Sequence, residues 1–215
     1  MSIIDERSAW EILRKYVEDC LKIDSNSLTA IYATGSLPGG YYRPGKSDID
    51  AVLIGKNEFQ DIWGNSETPG KRFAALNRTY LHRYKIPKDF GPFPLGESEL
   101  FPPYNPEIEV LPLEIARLKI QGKLVYGSFN LEMVPMPSSN DFLIGAKAFE
   151  AWWDQEFSKA TPLEKMSTAA CVNTILIHLS RFLIIERDIF EFNKRKCVRF
   201  SECSLTGSNT DRRSG

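Results

Sequence analysis

One stretch constrains this chain more than any other: residues 33–55, ATGSLPGGYYRPGKSDIDAVLIG. The apolar segment from Leu28 to Thr34 reads as a buried strand and runs directly into Gly35-Ser36. Eleven residues rich in Gly and Pro, Leu37 to Ser47, separate this pair from Asp48-Ile49-Asp50 at the head of a second apolar strand, Ile49 to Ile54. Consecutive strands joined this closely are expected to be neighbours in one sheet.

Asp48 and Asp50 are two residues apart, so on an extended strand both carboxylates project from the same face. Two adjacent anions repel unless a cation lies between them, and Mg²⁺, which takes carboxylate and phosphate oxygens, suits that role. Gly35 lets the backbone approach a ligand without a β-carbon in the way, and Ser36 offers a hydroxyl and an N–H where a helix could begin. Asp-x-Asp by itself also decorates exposed strand ends. The whole combination of strand, Gly-Ser, spacer, Asp-x-Asp and apolar run describes a site for a metal-bound polyphosphate.

At these residues the sequence resembles the DNA polymerase beta-type nucleotidyltransferase superfamily. The spacer from Gly39 to Lys46, GGYYRPGK, is similar to the loop of its aminoglycoside adenylyltransferases. The resemblance implies an α+β fold: an N-terminal nucleotidyltransferase domain, built as a small mixed sheet with flanking helices, followed by a C-terminal α-helical bundle. It implies transfer of a nucleoside monophosphate (AMP from ATP, or the equivalent from another NTP) to a hydroxyl of a small molecule such as an aminoglycoside, releasing pyrophosphate. Two Mg²⁺ ions would be held by Asp48, Asp50 and a third carboxylate, with Gly35 and Ser36 on the phosphates and Ser47 either orienting the loop or touching a phosphate.

The third carboxylate must come from a neighbouring strand. Glu107-Ile108-Glu109-Val110-Leu111 reads as such a strand, ended by Pro112, and Glu109 lies deeper in its apolar run than Glu107. Resemblance also favours Glu109, as metal ligand and as the base that takes the acceptor's proton; Glu107 stays open as the alternative. Residues Asn193 to Phe200, NKRKCVRF, resemble a segment in which a lysine approaches the nucleotide. Lys194 matches that lysine, while Asn193 stands where the family usually has serine. Two other readings stay open: an antitoxin-type enzyme that adenylylates a protein partner, and a catalytically inactive nucleotide-binding regulatory module.

Along the rest of the chain, Ser8 to Leu21 carries apolar residues at helical spacing, and helices are expected at Glu58 to Trp63 and Lys71 to Tyr84. The second of these is rich in Lys and Arg, which suits a solvated face or contacts with nucleotide phosphates or an acidic partner. Six prolines between Ile86 and Pro106 predict an irregular loop, either a substrate lid or a surface excursion. Leu113 to Gln121 is expected as a short helix closed by Gly122, followed by a turn or strand at Lys123 to Tyr126. These signals divide the chain into a catalytic domain, residues 1–132, a linker, 133–140, a helical domain, 141–203, and a disordered tail, 204–215. In the helical domain Asp141 is expected to cap one helix and Thr161-Pro162-Leu163-Glu164 to open another. Whether the bundle is complete stays open.

Composition excludes some classes of function. A net charge of -1 over 215 residues leaves no basic excess for extensive nucleic-acid binding. No apolar run spans a bilayer, and MSIIDERSAW lacks the layout of a signal peptide. Cys20, Cys171, Cys197 and Cys203 form no Cys-x-x-Cys pair and read as free thiols. A cytoplasmic protein acting on an NTP and a small hydroxyl acceptor is the expectation.

Overall fold

The computed structural model describes residues 3–56, 69–86, 90–105, 108, 110–158 and 168–199, without the side chains of 69–70 and 152–174. These residues divide between two compact units. One is drawn from Met1–Pro103 and Arg117–Met136, the other from Tyr104–Ala116 and Pro137–Gly215.

The first unit is a four-stranded mixed sheet with helices against it. Helix α1, Glu6–Asp24, begins two residues before the expected Ser8 because Asp5 caps it, its carboxylate accepting the Ser8 N–H at 2.8 Å. Strands β1, Leu28–Thr34, and β2, Ile49–Gly55, pair antiparallel with Thr34 opposite Asp50. Helix α2, Pro69–Tyr84, follows. The sheet order is β3-β2-β1-β4, with β3, Phe90–Gly96, parallel to β2 and β4, Lys123–Gly127, antiparallel to β1.

Odd-numbered residues of the two central strands, Ile31 and Ala33 with Ile49, Ala51 and Leu53, face α1 and α2 in one core. Even-numbered positions therefore lie on the opposite face. Within the core, Tyr16 and Phe90 meet edge to face at 4.9 Å, and the Tyr16 hydroxyl donates to Asn77 Oδ1 at 2.6 Å.

Strand β3 corrects the expectation of an irregular loop from Ile86 to Pro106. Pro92 and Pro94 are two residues apart, so both missing N–H groups belong on one side of the strand. At a sheet edge that side needs no strand partner. The Pro92 carbonyl points the same way and accepts from Asn77 Nδ2 at 3.3 Å, on α2 rather than β2.

The strand expected at Glu107–Leu111 is also corrected. Its described residues, Ile108, Val110 and Leu111, are bend, turn and the first residue of helix α3, Leu111–Gln121. Pro112 therefore sits in the first helical turn, where its missing N–H has no intrahelical role, instead of ending a strand.

In the second unit, α4 is Ser139–Ser158 and α5 is Thr168–Arg187. The cap of α4 is Ser138 rather than Asp141. Ser138 Oγ accepts from the Asp141 N–H at 3.3 Å while the Asp141 carboxylate accepts from the Ser138 N–H at 2.7 Å, a reciprocal capping pair. Leu113, Ala116, Phe142 and Ile184 form this unit's apolar cluster. His178 packs on the Phe149 ring with centroids 4.1 Å apart, and burial lowers its pKa. Cys20 and Cys197 are buried free thiols. The expected helix at Glu58–Trp63, the Thr161–Glu164 helix start and the tail from Ser204 lie outside the described residues. Among the described residues no helix is long and apolar enough to cross a membrane.

Candidate active site

The site lies on the even-numbered face of the sheet, where β1 ends and β2 begins. Asp48 and Asp50 are both half-exposed while Ile49 between them is fully buried, which places the two carboxylates on one face. Across β3 the partner of Asp50 is Gly91, so no side chain crowds the carboxylate from that strand.

Gly35 adopts φ +72°, a left-handed conformation that side chains disfavour. A β-carbon there would overlap Asp50 Oδ2 and stand 3.2 Å from its Cγ. Strand pairing and the glycine turn together hold the Asp50 carboxylate against bare backbone.

The spacer is a chain of tight turns. Gly39 N–H donates to the Gly35 carbonyl at 3.2 Å and Tyr41 N–H to the Ser36 carbonyl at 3.1 Å. The helix that could begin at Ser36 does not extend beyond this turn, because the φ of +73° at Gly40 breaks it. The return is closed by Ser47, whose buried hydroxyl accepts the Arg43 N–H at 3.0 Å. Ser47 thereby orients the loop.

Two hydroxyls at this corner are buried with no hydrogen-bond partner among the described residues: Ser36 Oγ and Thr34 Oγ1. A buried, unpaired hydroxyl costs about 1–3 kcal/mol, a penalty that a ligand oxygen would relieve. Sequence reasoning singled out Ser36 but missed Thr34. The signal for Thr34 was its place at the strand end immediately before Gly35, on the face that the β1–β2 register gives to Asp50.

Tyr42 reports the local charge. Burial raises its pKa first, and the nearby Asp48 and Asp5 carboxylates raise it further. Two carboxylates on one face, a backbone approach at Gly35 and an unsatisfied Ser36 hydroxyl fit a divalent cation with phosphate oxygens. Among the described residues no third His, Cys, Asp or Glu completes the group.

Asp48, Asp50, Gly35, Ser36 and Ser47 are thus brought together in the first unit. Glu109 and its alternative Glu107 lie outside the described residues. Lys194 belongs to the second unit, at the start of a short helix over residues 194–199. Asn193 caps that helix by accepting the Arg195 N–H at 3.1 Å, so asparagine does here what serine does at an N-cap. An open cleft of about 750 Å³ elsewhere in the first unit is rimmed by Lys15, Arg83 and Lys85. Two of these cations complement the C-terminal end of α2, and none of the three belongs to the carboxylate corner.

The architecture is an α+β fold, a small mixed sheet with flanking helices followed by further helices, and solved structures share it. In particular, the chain is similar to the spectinomycin adenyltransferase AAD(9) from Enterococcus faecialis, solved with ATP and spectinomycin. The TM-score is 0.59 at 14% identity, over 91% of this chain and 83% of that one. A toxin–antitoxin structure with AMP-PNP is matched at a TM-score of 0.34 and 16% identity over 70% of this chain and 95% of that one. The MntA-HpeT toxin–antitoxin mutant Y104A is matched at 0.33 and 15% over 70% and 94%. No protein-family model and no curated protein matches the sequence.

Proposed function

We propose that the chain is a Mg²⁺-dependent nucleotidyltransferase that moves AMP from ATP, or a nucleoside monophosphate from another NTP, to a hydroxyl of a small molecule such as an aminoglycoside. The observation that carries this reading is the Gly35–Asp50 corner, where backbone without a side chain, a carboxylate pair and an unpaired buried hydroxyl converge. The fold's likeness to an adenyltransferase solved with ATP and spectinomycin supports the same reading.

Asp48 and Asp50 would hold Mg²⁺, with Glu109 as the third ligand assigned from the sequence. When bound, the metal neutralises triphosphate charge and favours attack at the α-phosphorus. Gly35 admits the phosphates to the backbone, and Ser36 donates its hydroxyl proton to a phosphate oxygen. Ser47 keeps the spacer folded, and Lys194 provides a cation for the nucleotide. Glu109 takes the proton of the acceptor hydroxyl as that oxygen bonds to the α-phosphorus and pyrophosphate leaves. Holding the reactants in line and neutralising charge do most of the work.

The test is pyrophosphate release from each of the four NTPs with Mg²⁺, with and without an aminoglycoside panel that includes spectinomycin. Acceptor-dependent release supports the proposal. Label transferred to a protein would favour the antitoxin-type enzyme, and NTP binding with no release would make the chain a regulatory module. Glu109→Gln is expected to abolish release and Glu107→Gln to preserve it; the reverse result reassigns the third carboxylate.

A further inference from the structure

We propose that Tyr41 and Gln121 are positioning residues that set the pitch of the Gly35–Ser36 turn, an inference that rests on the nucleotide reading of that turn. The two side chains lie eighty positions apart in the chain and meet in the first unit. The Tyr41 hydroxyl stands 3.4 Å from Gln121 Oε1 and 3.3 Å from Gln121 Nε2, so the amide straddles the phenol oxygen and can serve it as acceptor or donor.

Both residues stand where a side chain on Gly39 would go. A β-carbon on Gly39 would collide with the Tyr41 ring and stand 2.9 Å from both Gln121 Oε1 and the Gly35 carbonyl oxygen. Gly39 and Tyr41 are also the two residues whose N–H groups tie down the Gly35 and Ser36 carbonyls. A single assembly therefore fixes the turn. The Gly35 carbonyl is held by Gly39, the Tyr41 ring fills the place of a Gly39 side chain, the Ser36 carbonyl is held by the Tyr41 backbone, and the Tyr41 phenol is anchored to the end of α3. The turn itself has three glycines, Gly35, Gly39 and Gly40, and no continuing helix to stiffen it, so its geometry depends on this anchor.

The test uses the full chain with Tyr41→Phe, Gln121→Met and the double variant. Phe keeps the ring over Gly39, and Met keeps the length of Gln121, so both preserve packing while removing the polar anchor. Three quantities are read: affinity for ATP with Mg²⁺ by calorimetry, melting temperature, and hydrogen exchange of the Gly39 and Tyr41 amides. Each single variant is expected to weaken ATP binding about threefold to tenfold and to speed exchange at both amides, at unchanged melting temperature. The double variant should be no worse than either single.

Wild-type affinity and exchange in all three variants would overturn the inference and leave the nucleotide reading standing. Losses that add in the double variant would also overturn it, since the two residues would then act separately. Wild-type protein that binds no nucleotide would overturn the reading and the inference together.

Discussion

The Asp50 carboxylate occupies the space that any β-carbon on Gly35 would need. Sequence motif and backbone strain meet at this contact: the glycine is required both by its φ of +72° and by the carboxylate packed on it. Gly35→Ala is therefore expected to cost about 1–3 kcal/mol of stability and to push Asp50 off the corner, with loss of nucleotide turnover. Asp50→Asn keeps the shape and removes the charge, so it should melt like wild type and be inactive. Full turnover in Asp50→Asn would sink the metal assignment.

Ser36→Ala separates binding from folding. The Ser36 hydroxyl is buried with no partner among the described residues, so its removal relieves a penalty in the free protein. The melting temperature is expected to stay level or rise, while affinity for ATP with Mg²⁺ falls about tenfold or more, the scale of a hydrogen bond to a charged group. A variant that is less stable and binds ATP normally would show the hydroxyl to be structural.

The central hairpin and its motif were legible because Leu28–Thr34 and Ile49–Gly55 are apolar runs with punctuation at both ends. Strand β3 was hidden by Pro92 and Pro94, since a linear reading sees two strand breakers and cannot see that both sit on the unpaired side of an edge. At Glu107–Leu111 alternation of charged and apolar residues imitated a strand, yet Leu111-Pro112 begins a helix. The site was readable as residue types at a spacing. Thr34 was missed because its role comes from register with Asp50, and the Tyr41–Gln121 contact because no local pattern signals a pair so far apart.

Lys85 is a position where stability is available without touching the site. It follows α2 at φ 51°, and Ile86 N–H closes the helix end by donating to the Leu81 carbonyl at 3.2 Å, a cap that favours glycine. The lysine side chain is exposed, so little packing is lost on its removal. Lys85→Gly is expected to gain about 0.5–1 kcal/mol, read as a higher urea midpoint with unchanged turnover. A lower midpoint would mean that the lysine stem contributes packing that outweighs the backbone strain.

The alkaline limit of stability should be set in part by the core beneath the sheet. Burial pushes the Cys20 thiol up to about 12, and burial likewise drives the Tyr16 phenol well above its ordinary value. An unfolded thiol titrates near about 8.5, so above that pH the unfolded chain releases a proton that the folded chain keeps. Cys20 thus favours the folded state fully below about pH 8.5, and its contribution is lost as the pH rises from there toward 12. The urea midpoint is expected to hold between pH 7 and 8 and to fall above 9, with up to about 1.4 kcal/mol lost per pH unit for one thiol. In Cys20→Ala the fall above pH 9 should be shallower but not abolished, since burial also raises the Cys197 thiol. An identical pH profile in that variant would exclude the thiol as the cause.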